Sequence, residues 1–355
     1  MNVDLLGQGL WTLPRGGGNS ISDVPGVLVG HVTLSSGAVQ TGVTALVPGD
    51  DLFCRKMAAG CWVANGYGKT AGLVQIAELG TLETPILLTN TLSVGAVWDG
   101  LVGWLMEHEP SIGREAGTVN PVVAECNDGF LNDLRLRSVT PEMARQALDA
   151  ASVNFSLGSV GAGRGMSCYE LKGGIGTASR RVGCYTVGVL VLTNFGSLSD
   201  LTLRGQPTGR FIGQKLSGGR EAGPDGSVIA VIATDAPLSS RQLTRLARRA
   251  TVGVTRRGAF VSHGSGEISV AFSTASRIPS GRGPFNLPVM GPEAANDFFR
   301  AVVEGTDEAV LRSMLEAQPV VGRDGHKRPS LRDFPDAPGL EGVLEPGNFT
   351  GCSCR

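Results

Sequence analysis

The feature that most constrains the fold is a pair of near-continuous apolar runs, at residues 187–192 and 227–234. Both runs are rich in β-branched residues, so each predicts a β-strand that is covered on both faces. Strands and helices interleave along the rest of the chain without a regular βαβ rhythm. This favours an α/β (α+β) protein of stacked sheets covered by helices over a doubly wound parallel sheet. Because no low-complexity linker divides the sequence, we expect one domain, residues 1–355.

The remaining elements are predicted from apolar spacing, caps and turn residues. Residues 8–20 are expected to form an irregular arm, and residues 318–355, rich in Pro and Gly, are expected to be irregular as well. Further strands are predicted at 27–29, 43–47, 86–88 and 268–272. Helices are predicted at 94–105, from 140 to about 151, from 235 onward, at 292–304 and at 306–317. The last two helices are expected to be separated at Gly305.

Charge and composition argue against several classes of partner. The net charge is −1, from 31 basic and 32 acidic residues, and no block of like charge predicts a nucleic-acid or anionic-membrane partner. No apolar run approaches the ~18–20 residues that span a bilayer, and the N-terminus lacks the basic and apolar regions of a signal peptide. The seven cysteines do not resemble a disulfide framework, so we expect a cytoplasmic protein. The tail pair Cys352 and Cys354 is interpreted as inert.

A Gly-Ser pair stands immediately before the second apolar run. Asp225-Gly226-Ser227 therefore predicts a turn followed by a strand that begins at the serine. If the Gly226–Ser227 bond is cut, Ser227 carries both a nucleophilic oxygen and a free amine that can act as its base, the pairing of N-terminal-nucleophile hydrolases. On the dipeptide alone, an ordinary turn before a strand is the better interpretation.

Other motifs fail. Gly68-Lys69-Thr70 would need a glycine at position 63 to form a phosphate loop, and that residue is Val63. The sequence contains no Gly-x-Ser-x-Gly elbow, no His-Glu-x-x-His and no Cys-x-x-Cys, so a zinc enzyme is not expected. Nothing selects one of the four histidines for a catalytic triad.

Several longer segments resemble one family, that of the L-aminopeptidase/D-amidase-esterases, which includes the β-aminopeptidases. The resemblance is carried by residues 23–31, 120–129, 161–166, 169–180, 189–194, 225–227 and 265–267. It implies a four-layer αββα sandwich, like that of N-terminal-nucleophile hydrolases but differently connected. It also implies a precursor that cuts itself into an α chain, 1–226, and a β chain, 227–355, which assemble as a homotetramer of processed units and require no metal or organic cofactor.

The same resemblance implies a role for each site residue. Ser227 would attack the scissile carbonyl, Ser265 and Glu267 would assist it, and Asn194 would supply the oxyanion-hole amide. Glu125 would bind the ammonium group of a short peptide, amino acid amide or ester. The residues fit these roles chemically, because positions two apart on a strand share a face and a carboxylate pairs well with an ammonium. Without the resemblance, Asn194 is a strand-end cap, Glu125 a surface acid, and Ser265 and Glu267 an exposed strand edge.

Two other functions remain open at this stage. An acyltransferase of the ornithine acetyltransferase type would use a self-exposed threonine after Lys-Gly, whereas here Asp225-Gly226 precedes a serine. A protein that binds small amines through Glu125 and never cleaves itself is the non-enzymatic alternative. The sequence leaves the choice among α-peptide, β-peptide, D-amino acid amide and ester substrates undecided.

Overall fold

The structure is a computed structural model that describes residues 3–7, 9–216 and 226–344. Asp225, Cys352 and Cys354 therefore lie outside the described residues. The described strands are β1 Leu28–Ser36, β2 Val39–Val47, β3 Arg55–Gly66, β4 Thr81–Leu82, β5 Ile86–Asn90, β6 Val122–Cys126, β7 Ser167–Cys168, β8 Leu171–Lys172, β9 Ile175–Val182, β10 Tyr185–Asn194, β11 Ser227–Thr234, β12 Gly266–Pro279, β13 Val320–Val321 and β14 Lys327–Arg328. The helices are α1 Leu73–Leu79, α2 Val94–His108, α3 Pro141–Asp149, α4 Thr208–Lys215, α5 Ser240–Thr255 and α6 Ala295–Leu315.

Two main sheets organise these elements. The smaller sheet has the strand order β1-β2-β5-β6, and the larger has the order β4-β3-β12-β11-β10-β9. In the larger sheet β11 lies between β10, to which it is antiparallel, and β12, to which it is parallel. Every residue of β11 is buried, which confirms the strand predicted at residues 227–234 and its covering on both faces.

Three apolar layers separate four layers of secondary structure. The two sheets pack face to face through side chains such as Leu88 and Leu190. Helices α2 and α3 cover the outer face of the smaller sheet, and α5 and α6 cover that of the larger sheet. The order is therefore helix, sheet, sheet, helix, and the predicted αββα sandwich is confirmed. Within the described residues no helix has both the length and the apolarity needed to cross a lipid bilayer.

The helices on the larger sheet differ in detail from the prediction. Helix α5 begins at Ser240 instead of residue 235, because Ser239 and Gln242 form a capping box at that point. The two helices predicted on either side of Gly305 are wrong, since α6 runs unbroken through this residue. A Cβ at Gly305 would lie 3.1 Å from Val189 Cγ2 on β10, so the glycine lets the helix approach the sheet closely. That packing outweighs the ~1 kcal/mol that glycine costs inside a helix.

Buried charges tie α6 to the N-terminal arm. Glu304 accepts hydrogen bonds from the backbone N–H groups of Thr12 and Leu13, both at 3.0 Å. The neighbouring carboxylate of Asp307 pairs with Arg257 at 2.6 Å, and both side chains are almost completely buried. Asp307 also accepts the indole N–H of Trp11 at 2.8 Å. Glu304 and Asp307 therefore hold the irregular arm against α6, and Arg257 compensates the buried charge of Asp307, which would be costly if unpaired.

Candidate active site

The predicted nucleophile is brought to its partners by strand register. Ser227 is the first residue of β11 and is only 5% exposed. It stands opposite Asn194, the last residue of β10, and opposite Gly266, the first residue of β12. Three segments that are distant in sequence therefore meet at one end of the larger sheet. With the residues next to them they contain five of the predicted site residues: Asn194, Gly226, Ser227, Ser265 and Glu267.

Gly226 lies tightly against the end of β10. Its carbonyl oxygen accepts a hydrogen bond from the backbone N–H of Gly266 at 3.2 Å. A Cβ at position 226 would lie 2.3 Å from the carbonyl oxygen of Asn194 and 2.5 Å from the Cα of Phe195. Only glycine fits this position without movement of the backbone, and the carbonyl of the Gly226–Ser227 bond is held by a hydrogen-bond donor.

Ser265 and Glu267 form a directly bonded pair beside the nucleophile. The Ser265 hydroxyl donates to Glu267 Oε1 and also lies 3.0 Å from the carbonyl oxygen of Ser262. Glu267 is 5% exposed, and its Oε2 atom has no hydrogen-bond partner among the described residues. Burial raises the pKa of Glu267, and the hydrogen bond from Ser265 partly opposes this shift. A buried carboxylate with one free oxygen favours a cation beside it.

The Asn194 amide is fixed at both of its atoms. Its Oδ1 accepts the backbone N–H of Ser167 at 2.9 Å, and its Nδ2 donates to the carbonyl oxygen of Asn127 at 2.9 Å. An amide nitrogen carries two N–H groups, so the second remains available for another acceptor. This is the arrangement that an oxyanion donor requires, since the donor must be oriented before the reaction begins.

A pocket of about 180 Å³ opens beside these groups. Four predicted site residues line it: Gly226, Asn194, Ser265 and Glu267. The remaining wall comes from the ends of β7 and β10, the turn after α5 and the C-terminal hairpin, through residues Asn127, Phe130, Ser167, Glu170, Phe195, Gly196, Ser197, Asp200, Ala259, Phe260, Val261, Ser262 and Arg328. A small, partly polar pocket of this kind suits a short substrate.

Glu125 lies on β6, at the edge of the smaller sheet, and is not among the described residues that line the pocket. It is 3% exposed, and its Oε1 accepts the backbone N–H of Lys69 at 2.8 Å. Among the described residues no basic side chain pairs with it. The segment that it holds is nevertheless connected to the site, because the N–H of Tyr67 donates to the carbonyl oxygen of Ser265 at 3.3 Å.

Cys126, the next residue, faces the opposite way, into the layer between the sheets. Its thiol donates to the carbonyl oxygen of Leu192 at 3.7 Å and lies near the Ser227 side chain. Burial, followed by the nearby charge of Glu125, raises the pKa of Cys126 well above its usual value. The thiol is therefore a neutral group close to Ser227, fully buried between the sheets and not among the described residues that line the pocket.

Sequence reasoning missed the main-chain groups and residues that orient the site. The carbonyl oxygen of Asn127 and the N–H of Ser167 hold Asn194, and the N–H of Gly266 holds the Gly226 carbonyl. The position of Gly266 between Ser265 and Glu267 could have indicated that it lies in the site. Its N–H could not be predicted as a donor to Gly226, because a backbone donor does not depend on the type of side chain. Within the described residues, His, Cys, Asp and Glu do not form a group of three that could hold a metal ion.

Comparison with known proteins agrees with this geometry. The model of peptidase family S58 matches residues 19–328, which is most of the chain. The chain belongs to peptidase family S58. It is 39% identical over 339 residues to a β-peptidyl aminopeptidase, BapA, of Sphingosinicella microcystinivorans, covering 88% of this chain and 85% of that protein.

Two solved structures extend the comparison to the fold. A protein of Pyrococcus horikoshii OT3 is 46% identical, with a TM-score of 0.88 over 93% of this chain and 96% of that one. The L-aminopeptidase D-Ala-esterase/amidase of Ochrobactrum anthropi is 33% identical, with a TM-score of 0.82 over 90% and 93% of the two chains. The latter is described as a prototype of the serine aminopeptidases and as a variant of the N-terminal-nucleophile hydrolase fold. The resemblance stated from the sequence, and the prediction of an enzyme of this aminopeptidase family, are therefore confirmed.

Proposed function

We propose that the protein is a self-processing serine aminopeptidase that releases the N-terminal residue of short peptides, amino acid amides or esters. The observation that carries this proposal is the position of Ser227. It follows a glycine whose carbonyl oxygen is held by Gly266 N–H, and it begins a strand flanked by Asn194 and by the bonded pair Ser265 and Glu267.

The first reaction is cleavage of the chain itself. Ser227 Oγ attacks the carbonyl carbon of Gly226, an O–C bond forms, and the C–N bond breaks as the hydroxyl proton passes to the departing amine. The developing negative charge falls on the Gly226 oxygen, which already accepts the Gly266 N–H at 3.2 Å. Water then hydrolyses the ester, leaving a carboxylate at Gly226 and a free amine and hydroxyl at Ser227.

The second reaction uses the groups that cleavage has exposed. The new α-amine, with a reference pKa of ~7.7–8.0, accepts the proton of the Ser227 hydroxyl as this attacks a substrate carbonyl. The proton then passes to the amine or alcohol that leaves, an acyl-enzyme ester remains on Ser227, and water hydrolyses this ester to release the N-terminal residue. The resulting ammonium is stabilised by Glu267, whose Oε2 is the free oxygen of the pair, while Ser265 holds the other oxygen. Departure of Gly226 also frees the Gly266 N–H, which then binds the substrate's carbonyl oxygen together with the second N–H of Asn194.

Glu125 is proposed to recognise the substrate's free amine. It is a buried carboxylate whose Oε1 is held by a backbone N–H next to the Tyr67–Ser265 contact, and it lacks a basic side-chain partner among the described residues. A buried carboxylate without a basic partner is strongly stabilised when an ammonium group binds beside it, because its charge is otherwise uncompensated. Selection of an N-terminal residue follows from that pairing.

The substrate range is proposed from the relatives. The Sphingosinicella protein is named a β-peptidyl aminopeptidase and the Ochrobactrum protein an L-aminopeptidase and D-Ala-esterase/amidase. We therefore expect hydrolysis of β-aminoacyl peptides and of small L- or D-aminoacyl amides. A homotetramer of processed units in the cytoplasm is part of the same proposal. Light scattering would test the assembly, and the five described cysteines, all unpaired, are consistent with a reducing compartment.

A comparison of wild type with Ser227→Ala tests the proposal. Wild type should give two fragments on a denaturing gel, with Ser227 as a new N-terminus, and should hydrolyse a β-alanyl amide. Ser227→Ala should remain one chain without activity. A wild type that stays uncut would favour the amine-binding alternative, and transfer of an acyl group to an amine in preference to water would favour the acyltransferase.

A further inference from the structure

One amide side chain outside the pocket gathers three carbonyl groups of the turn that leads into β12. Asn65 Nδ2 donates to the carbonyl oxygens of Ser262 at 3.1 Å and His263 at 2.9 Å, and also to that of Ser265. An amide nitrogen has two hydrogens, so at least one of them is shared between two acceptors. Convergence of this kind fixes the turn 262–265 relative to β3.

A β-bulge brings Asn65 to this position. In the pairing of β12 with β3, Glu267 is opposite Asn65, but the next residue, Ile268, is opposite Val63. Ala64 is therefore the extra residue, and in a regular ladder it would stand opposite Glu267 instead of Asn65. Bulges beside active sites commonly redirect a side chain in this way.

The turn 262–265, which Asn65 holds in place, determines the direction of the Ser265 hydroxyl. The Ser262 carbonyl that Asn65 binds also accepts the Ser265 N–H at 3.2 Å and lies 3.0 Å from the Ser265 hydroxyl. Just before the turn, Val261 has a φ of 60°, a conformation that is unfavourable for a β-branched residue. Strain of this kind persists only when surrounding contacts hold it, and the Asn65 amide supplies such contacts.

We propose that Asn65 is a positioning residue for activation of the nucleophile. It holds the turn that aims the Ser265 hydroxyl at Glu267, and through this pair it sets the charge beside the Ser227 amine. Asn65 is not among the described residues that line the pocket, so it contributes to kcat and not to substrate binding. This inference rests on the proposed function, because it concerns the same nucleophile.

The test compares Asn65→Leu and Asn65→Asp with wild type and with a control, Asn120→Asp. The Asn120 side chain donates to Glu83 at 3.0 Å and is not among the described residues that line the pocket. The control therefore makes the same change, from an amide to a carboxylate, away from the site. Each protein is assayed for kcat and KM on a β-alanyl amide, for the rate at which a sulfonyl fluoride labels Ser227, and for its thermal midpoint.

Both Asn65 variants should lose kcat by about 10²-fold, the scale for a reacting group misplaced by ~1 Å, while KM changes little. Labelling of Ser227 should slow in parallel. The deficit of Asn65→Asp should shrink as the pH is lowered to about 5, because a protonated carboxyl regains one donor, whereas that of Asn65→Leu should not. The control, Asn120→Asp, should keep the kcat and the Ser227 labelling rate of wild type both before and after the pH is lowered.

Three results would overturn the inference. If wild type matures and is active, but both Asn65 variants match the control in kcat and labelling, Asn65 does not position the pair and the proposed function stands. If kcat falls only in proportion to lost thermal stability, with no recovery of Asn65→Asp at low pH, its role is purely structural. A wild type that neither cuts itself nor hydrolyses the amide removes the proposed function and this inference together.

Discussion

Replacing Gly226 with alanine should block or greatly slow self-cleavage. The added Cβ would lie 2.3 Å from the Asn194 carbonyl oxygen, where ordinary contacts begin at 3.4 Å. The backbone on one side or the other must therefore move by about 1 Å. Such a shift disturbs the Gly226 carbonyl itself, which is both the electrophile and the acceptor of the Gly266 N–H.

The expected effect follows from the size of that displacement. A misplacement of ~1 Å in a reacting group costs about 10²-fold in rate, and it weakens the 3.2 Å hydrogen bond to Gly266 N–H as well. We therefore expect cleavage of Gly226→Ala to be slower than that of wild type by at least about 10²-fold. The clash lies at the end of two strands, so the folded core should tolerate it.

The assay is a time course of cleavage after cell-free synthesis, read on a denaturing gel, with N-terminal sequencing of the smaller fragment. Gly17→Ala is the matched control, because a Cβ there meets nothing within 4 Å and its φ is not in the left-handed range. The control should mature at the wild-type rate. If Gly226→Ala also matures at that rate and yields Ser227 as N-terminus, close packing against β10 does not govern the reaction.

Three further predictions concern single groups. Asn194→Ala should lower kcat by about 10²–10³-fold in steady-state assays, the scale for one lost oxyanion donor, and an unchanged kcat would remove Asn194 from the site. Glu125→Gln should still mature but lose about 10²-fold or more in kcat/KM on free aminoacyl amides, with a smaller loss on N-acetylated ones; an equal loss on both would make Glu125 structural. Burial raises the pKa of Asp128 to about 7, so the folded state keeps a proton that the unfolded state releases near pH 4, and the contribution of this carboxyl to stability should fall as the pH rises from 4 to 7. Asp128→Asn should therefore gain thermal stability relative to wild type between pH 5 and pH 8, and a constant difference would contradict this.

The sequence predicts the central elements of the fold well, because their signals are local. The apolar runs of β10 and β11 and the turn residues before Ser227 are sufficient to place two central strands and the start of the second one. The break predicted at Gly305 is wrong because the reason for that glycine is not local. It meets Val189 on β10, and nothing within α6 itself indicates such a contact.

The site is predictable only in its side chains. Ser227, Ser265, Glu267 and Asn194 carry recognisable chemistry. Asn194, Ser265 and Glu267 line one pocket, and strand register places Ser227 opposite Asn194 and next to them, although Ser227 itself is not among the described residues that line the pocket. The position of the Gly266 N–H depends on strand register, and the hydrogen bonds from Asn65 to the turn 262–265 depend on a β-bulge. A single sequence reveals neither feature. For Glu125, the resemblance implies that it binds the substrate's ammonium group. The structure shows that its carboxylate is buried and accepts the backbone N–H of Lys69.

In the proposed mechanism, self-cleavage and hydrolysis use some of the same groups. In the uncut chain the Gly226 carbonyl occupies the donor that a substrate carbonyl would later use, because both must lie against the Gly266 N–H when Ser227 attacks. Changes that displace this donor, or Asn194 beside it, should therefore impair maturation and turnover together. Glu125 differs, since the Gly226 side of the scissile bond carries no free amine. A variant that matures normally yet fails on substrates with a free N-terminus would thus show that ammonium recognition is separate from the nucleophile, which strand register brings to its partners.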